Sequence, residues 1–297
     1  VSVIYGDWGT TRLRLWRSVD GTVTDTRMGL GIGQLGEPPA AALRAAITPW
    51  LAEAPPERIV LCGMVGARNG MHEMPYVECP ADAATWRQTA AELSFDGVPL
   101  RIMAGVAFRE LDRADVMRGE ETQVFGAIGL EPALAEGRHV VVLPGTHSKW
   151  VALDGGRIAA FRTFLTGELF TLLHGSSLLA AGGEIGGGSS DEAFAAGLAR
   201  AAEEGGLLGS MFEARTAQLR DGRSADWASA FLSGLLLGSE LAEVRRRQRL
   251  PVRVGVIGGA ELAARYARAF ADFGVETHLL DGDACALAGL ELNDADN

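Results

Sequence analysis

Val3-Ile4-Tyr5-Gly6-Asp7-Trp8-Gly9-Thr10-Thr11-Arg12-Leu13-Arg14-Leu15-Trp16, followed by Asp20-Gly21, is the stretch that decides the fold. It reads as strand, Gly-Thr turn, strand, Asp-Gly turn and a third strand. The same succession returns at Val140-Val141-Val142-Leu143-Pro144-Gly145-Thr146-His147-Ser148-Lys149-Trp150-Val151-Ala152-Leu153, with Asp154-Gly155-Gly156 and Ile158-Ala159-Ala160-Phe161 behind it. A unit that occurs twice predicts two related halves facing one another across a cleft. Each Gly-Thr turn offers backbone N–H groups and a hydroxyl to a phosphate chain. Two such turns meeting in one cleft would hold a nucleoside triphosphate from both sides.

Around these meanders the chain reads as alternating helices and strands. Leu43, Ile47, Trp50 and Leu51 recur at helical spacing over 39 to 53, with a kink expected at Pro49. Arg58 to Gly63 is a short buried strand running into a glycine-rich loop, followed by a helix near Ala83 to Leu93 and a strand at Pro99 to Ala104. Residues 105 to 119 look polar and irregular, and the domain crossing is expected there. A helix over Thr122 to Leu130 opens at Gly119-Glu120-Glu121, and the second meander spans about 138 to 165. Gly182 to Ser190 reads as a flexible Gly/Ser loop. Helices follow near 191 to 204, 210 to 219 and 225 to 247, where Gly234 and Gly238 beside the apolar stripe permit a close helix contact. A strand at Val252 to Ile257, a helix at Glu261 to Phe273, a strand at Glu276 to Leu280 and a helix near Ala284 to Leu290 complete the pattern.

Bulk properties narrow the function. The 297 residues suit one large or two medium domains with a substantial core. A net charge of −11 argues against a general nucleic-acid binder, so an anionic ligand must be held by local cations and N–H groups. Cys62, Cys79 and Cys285 have no metal-type spacing and read as reduced, buried thiols of a cytosolic protein. The chain opens on a strand rather than a signal peptide. Its longest apolar stretches, such as Phe231 to Leu241, are too short to span a bilayer. The expectation is cytoplasmic, with no membrane and no nucleic-acid partner.

Several side chains are placed for chemistry. Asp7 ends the first strand, where a carboxylate can organise Mg²⁺ directly or through water, or can simply cap its own turn. Lys149 could reach a phosphate as a point charge, whereas His147 serves either the ligand or its own turn. Gly258-Gly259, where a strand meets a helix, allows a base or ribose to approach the backbone; tight packing is the plainer reading. Glu120 and Glu121 at a helix start supply either dipole and capping chemistry or a general base that orients a substrate hydroxyl. Arg68 and Asn69, in the loop after Gly63, could bind a carboxylate and hydroxyls. Phe164 to Glu168 could face the same cleft. Gly31-Ile32-Gly33-Gln34-Leu35-Gly36 matches a dinucleotide fingerprint, but Pro38-Pro39 follows and no helix opens inside it. Arg245 to Arg249 is explained as a basic helix C-terminus, and no P-loop motif occurs.

Asp7-Trp8-Gly9-Thr10-Thr11, Cys62-Gly63-Met64-Val65-Gly66-Ala67-Arg68, Pro75-Tyr76-Val77, Met117-Arg118-Gly119-Glu120-Glu121-Thr122-Gln123 and Pro144-Gly145-Thr146-His147-Ser148-Lys149-Trp150 occur in one order. That order resembles the actin-like ATPase superfamily. Within it, the strings resemble the 2-dehydro-3-deoxygalactonokinase family over essentially the whole chain. The resemblance implies an α/β fold of two ribonuclease H-like lobes with the active site in the interlobe cleft. The N-terminal lobe would span 1–112 and the C-terminal lobe 113–297. It further implies ATP-dependent phosphorylation of 2-dehydro-3-deoxy-D-galactonate at its 6-hydroxyl, with ATP and Mg²⁺ as cofactors and a small sugar acid as partner.

On this reading Asp7, Glu120 and Glu121 are catalytic, with Asp7 at the metal and Glu120 preferred over Glu121 as base. Gly9, Thr10, Thr11, Arg12, Gly145, Thr146, His147, Ser148, Lys149, Gly258 and Gly259 hold the nucleotide. Trp8, Gly63, Met64, Arg68, Asn69 and Thr166 hold the acid. A homodimer is compatible with it. The rivals are a kinase of the same fold with another small acceptor, and a non-catalytic sugar-responsive regulator. The regulator reading wants a helix-turn-helix, and this chain starts directly in the meander.

Overall fold

The computed structural model describes residues 1–111, 113–176, 179, 188–203, 206–247 and 249–293. The first meander forms as read, from β1 (Ser2–Trp8), β2 (Arg12–Val19) and β3 (Thr22–Leu30). Asp20 and Gly21 take φ of 49° and 75°, the left-handed pair that a tight antiparallel hairpin requires. α1 (Pro39–Glu53) contains Pro49 and buries Leu43, Ile47 and Trp50. β4 (Arg58–Gly63) then runs parallel to β1.

Two expectations for the next segment are corrected. The helix expected to Leu93 stops early, leaving β5 (Tyr76–Glu78), α2 (Ala83–Gln88), β6 (Ala91–Phe95) and β7 (Val98–Ile102). An Asp96–Gly97 turn with φ of 52° and 85° closes β6 onto β7 antiparallel, and this hairpin takes Ala91 to Leu93, the end of the expected helix, into a strand. The irregular crossing expected at 105 to 119 is a second hairpin, β8 (Gly105–Glu110) and β9 (Arg113–Met117). Its strands are short and mostly exposed at their charged ends, so little alternation marks them.

α3 (Glu120–Leu130) precedes the second meander of β10 (Arg138–Leu143), β11 (Ser148–Asp154) and β12 (Arg157–Phe164). An unanticipated helix, α4 (Thr166–Ser176), follows directly. The Gly/Ser loop expected over 182 to 190 lies mostly outside the described residues. Next come α5 (Ser190–Ala202), α6 (Leu207–Met211), α7 (Glu213–Asp221) and α8 (Ala225–Arg247). β13 (Arg253–Gly258), α9 (Ala260–Asp272), β14 (Glu276–Asp281) and α10 (Gly282–Glu291) close the chain.

Strand order carries the duplication beyond the two meanders. One sheet runs β3-β2-β1-β4-β7-β6 and another β12-β11-β10-β13-β14. Each therefore sets a meander beside later strands, three in the first sheet (β4, β7 and β6) and two in the second (β13 and β14). β5, β8 and β9 form a smaller sheet. The chain divides into two compact units, one of Val1–Val141, Val151–Arg162 and Leu280–Asn297, the other of Val142–Trp150 and Thr163–Leu279. Both are discontinuous, which a single cut between 112 and 113 does not anticipate.

Bare backbone contacts bind each unit. In the first, a Cβ on Gly126 of α3 would lie 1.8 Å from the Cys285 oxygen, and one on Gly289 of α10 would lie 2.0 Å from the Thr122 oxygen. In the second, α5 and α8 touch through Gly197 and Gly234, whose Cβ positions each fall 2.1 Å from a carbonyl of the facing helix. Only glycine permits these approaches, and the closeness expected at Gly234 and Gly238 is realised.

Candidate active site

The first Gly-Thr turn is buttressed from below. Gly9 N–H donates to the Arg12 oxygen at 2.9 Å, while Ile32 and Gly33 N–H groups donate to the Gly9 and Thr10 oxygens at 3.0 and 2.9 Å. A Cβ on Gly31 would sit 2.3 Å from the Thr10 carbonyl. The Gly31 to Gly36 motif thus seats the turn, consuming its carbonyls and leaving Thr10, Thr11 and Arg12 exposed at the surface. Trp8 is wholly buried, its indole N–H on the Leu30 oxygen, so its ring belongs to the core.

Asp7 lies opposite Arg14 across the β1–β2 pair and beside Cys62 across β1–β4. Its Oδ2 accepts from Arg14 Nη2. Its Oδ1 faces two glycines, because a Cβ on Gly63 would lie 3.2 Å from it and one on Gly119 3.7 Å. Gly63 and Gly119 have φ of 88° and 111°, so a side chain at either position would be both strained and in the way. Burial pushes the Asp7 carboxyl above its ordinary range, and the Arg14 guanidinium pulls it back in part.

Gly119 caps the start of α3, so Glu120 and Glu121 follow directly on the glycine that faces this carboxylate. The two glutamates differ. Glu121 is completely buried and accepts from the Gly119 N–H with both oxygens, at 2.9 and 2.8 Å. Burial, then the Glu120 charge, pushes its carboxyl up to about 8. Glu120 is half-buried and accepts from the Arg118 N–H at 3.1 Å. Met64 is half-buried on the loop after Gly63, while Arg68 and Asn69 are exposed further along it, with Arg68 3.5 Å from Glu73.

The second unit gathers the other Gly-Thr turn and the Gly-Gly element. Thr146 and His147 are exposed, and His147 Nε2 is 2.6 Å from Glu168 Oε2. The Glu168 N–H donates to the Thr146 oxygen at 2.8 Å, so the first turn of α4 is pinned to this loop. A Cβ on Gly167 would lie 2.1 Å from the Gly145 oxygen. Gly258 lies against Pro144, and Gly259 opens α9 with free space beside its Cα. Lys149 is buried, with Nζ donating to Thr163 Oγ1 at 2.8 Å, so its ammonium is engaged within the sheet.

Ser148 and Thr166 turn away from the surface toward a residue the sequence reading missed. Glu240 of α8 is buried and accepts from Ser148 Oγ at 2.9 Å, Trp150 Nε1 at 2.7 Å, Tyr266 Oη at 2.9 Å and Thr166 Oγ1. It ties β11, α4 and α9 together around the turn. Burial raises its carboxyl, against the pull of these four donors. Its signal was a lone carboxylate in the apolar run Leu235-Leu236-Leu237-Gly238-Ser239-Glu240-Leu241.

A narrow cavity of about 60 Å³ starts at Gly145 and is walled by Gly167, Leu236, Leu262 and Tyr266. A larger one of about 480 Å³ includes His174, Asp226 and Arg268. Both are lined by Phe170, Ser233 and Arg265, so they adjoin. Among the described residues there is no group of three or more His, Cys, Asp or Glu placed to hold a metal, and no helix long and apolar enough to cross a membrane.

Comparison with known proteins gives these arrangements a family. The sequence profile described as 2-keto-3-deoxy-galactonokinase matches residues 7–292. The 2-dehydro-3-deoxygalactonokinase of Escherichia coli (strain K12) is 36% identical over 286 residues, spanning 96% of this chain and 94% of that protein. A crystal structure from Sinorhizobium meliloti, assigned by name to 2-dehydro-3-deoxygalactonokinase, superposes with a TM-score of 0.86 at 34% identity, covering 98% and 95% of the two chains. Component A of the (R)-2-hydroxyglutaryl-CoA dehydratase of Acidaminococcus fermentans, at 14% identity, reaches a TM-score of 0.56 over 99% and 98%, which shows a shared fold alone. A profile that begins at Asp7 and ends at Leu292, just past α10, takes in the turn glycines and the carboxylates of this site, and the chain belongs to the 2-keto-3-deoxy-galactonokinase family.

Proposed function

We propose that this chain transfers the γ-phosphoryl group of ATP to the 6-hydroxyl of 2-dehydro-3-deoxy-D-galactonate. The observation that carries the reading is 36% identity across 96% of the chain to a protein bearing that activity in its name. The geometry supports it. Exposed Thr10, Thr11 and Arg12 on the first turn, and half-buried Gly145 with exposed Thr146 and His147 on the second, serve the phosphates. The nucleoside end occupies the adjoining cavities that begin at Gly145, and Gly258 and Gly259, at the start of the helix that carries Leu262, are assigned to the same ligand. Glu120 is the base: it is half-buried in the first turn of α3, whereas Glu121 is spent on the Gly119 N–H. The loop from Gly63 through Met64, Arg68 and Asn69 takes the sugar acid. Ser148, Lys149, Thr166 and Trp8 support these groups from beneath.

Asp7 fits Mg²⁺. A hard cation of this kind is held by one or two carboxylates together with phosphate oxygens and waters, and Asp7 presents one carboxylate oxygen that Arg14 does not take. Bound there, Mg²⁺ would neutralise phosphate charge as the bond to the leaving group lengthens. In working terms residues 1–112 supply the first turn and the acid loop. Residues 113–297 supply the base, the second turn and the nucleoside site of a cytoplasmic enzyme.

ADP release coupled to a spectroscopic signal, measured with the galactonate-series acid, its gluconate epimer and neutral hexoses, tests the proposal. Turnover with the galactonate-series acid, and less with its epimer, is expected. ADP release no greater than the acid-free background with that substrate overturns it.

A further inference from the structure

We infer that Arg14 and Asp283 form a clamp that sets the orientation of the Asp7 carboxylate, making both of them positioning residues for the phosphoryl-transfer site. The inference rests on the reading of Asp7 as the metal-organising carboxylate and adds residues that neither the motifs nor the family name assigns.

Register fixes the first half of the clamp. Asp7 and Arg14 are direct partners in the antiparallel β1–β2 pair, so their side chains leave the same face of the sheet. Arg17, three residues on and on the opposite face, pairs instead with Glu53 of α1. Arg14 therefore projects where α10 lies. Its guanidinium spends Nη2 on Asp7 Oδ2 and Nη1 on Asp283 Oδ1, in the first turn of α10. The planar fork makes this a rigid spacer: two carboxylates 276 positions apart in sequence are held by one ion whose donors cannot rotate independently. Arg14 is mostly covered, with 17% of its side chain exposed, while Asp283 is 53% exposed.

The consequence falls on the other oxygen of Asp7. With Oδ2 tethered, Oδ1 is left facing Gly63 and Gly119, the two positions where the backbone has shed its side chains. α10 also packs directly on α3 through Gly126 and Gly289. The helix that anchors Arg14 is thus the helix that sets the height of Glu120 and Glu121. One element, sixteen residues from the end of the chain, indexes the metal carboxylate and the base to each other.

Asp283→Asn is the informative variant, because a half-exposed amide preserves the hydrogen bond and removes the charge that holds the guanidinium. Calorimetric titration with ADP, in Mg²⁺ and in EDTA, reads the site without turnover. A Mg²⁺ titration of the ADP-release assay reads it in catalysis. The expected result is a Mg²⁺ half-saturation raised about 10- to 100-fold, the usual effect of losing an outer-shell partner. ADP affinity in EDTA and the KM for the sugar acid should stay as in wild type. Arg14→Lys, which keeps the charge but loses the fork, should move the same quantity in the same direction. Mg²⁺ dependence identical to wild type in Asp283→Asn overturns the clamp. Asp7→Asn separates the two levels: full turnover in that variant removes the reading of Asp7 and the clamp with it, whereas an inactive Asp7→Asn beside an unaltered Asp283→Asn removes the clamp alone.

Discussion

Glu121 has a measurable electrostatic cost. Its carboxyl stands at about 8 in the folded chain against an ordinary 4.5, through burial first and the neighbouring Glu120 charge second. Below pH 4.5 both folded and unfolded chains hold the proton, so stability there is undiminished. Between 4.5 and 8 the unfolded chain releases it and the folded chain does not, and stability falls by about 1.4 kcal/mol per pH unit from this group. Glu121→Gln carries no such penalty. Relative to wild type it should gain stability steadily as pH rises from 5 to 8, read from urea midpoints at each pH, and a wild type and variant that stay parallel across that range refute the assignment. A cap that is protonated at neutral pH is also a poor base, which is why the half-buried Glu120 is favoured for that task. Adjacent glutamates in a string offer no basis for that choice; it emerges only when a fold buries one of them. Ser148 and Thr166 teach the same lesson in reverse. Hydroxyls beside a Gly-Thr turn read as ligands, yet both donate to Glu240, which lies 92 and 74 positions away from them.

Elements decide how firmly the turns are held. Both Gly-Thr turns have a second segment pressed on their carbonyl side, and in each case a glycine makes the contact: Gly31 under Thr10, Gly167 under Gly145. A methyl group at either site would overlap backbone by more than an ångström, and backbone cannot rotate aside as a side chain can. Gly167→Ala should therefore displace the second turn from α4 and weaken ADP binding at least tenfold, about 1.4 kcal/mol, with the thermal midpoint much less affected because the core of α5 and α8 is untouched. Fluorescence or calorimetric titration with ADP checks this; wild-type affinity in Gly167→Ala shows that the contact is incidental. The meanders, β4, α1, α3, β13, α9 and α10 were all legible, because long periodic runs and Asp-Gly or Gly-Thr turns specify themselves locally. α4 was not, since Thr166 follows β12 with only one residue between and Phe164 to Glu168 reads equally as the close of the meander. The Gly31 motif was legible as a non-dinucleotide loop. Its buttressing role depends on what it touches.

Taken whole, the chain spends its last helix on its first strands. β1, β4 and α3 are joined by α10, which buries Cys285, Ala286 and Leu290 in the first unit and supplies the glycine face that α3 requires. The duplicated meander was readable from sequence, and so was the order of motifs that identifies the family. The return of the C-terminus to the N-terminal unit was not, because it is written in small residues, Gly126 against Cys285 and Gly289 against Thr122, that have no periodic signature. Removing residues 282–297 would expose that face, and burial of Leu290 alone is worth about 1.5–3 kcal/mol out of a stability that is about 5–15 kcal/mol for a typical domain. The truncated chain should lose amide protection across β1, β2, β4 and α3 while α5 and α8, which pack on each other in the second unit, retain theirs. Hydrogen–deuterium exchange with peptide-level mass spectrometry resolves the two sets. Protection that persists in β1 and β4 after truncation would mean that the first unit stands without its C-terminal helix, and that α10 serves only to carry Asp283 to Arg14.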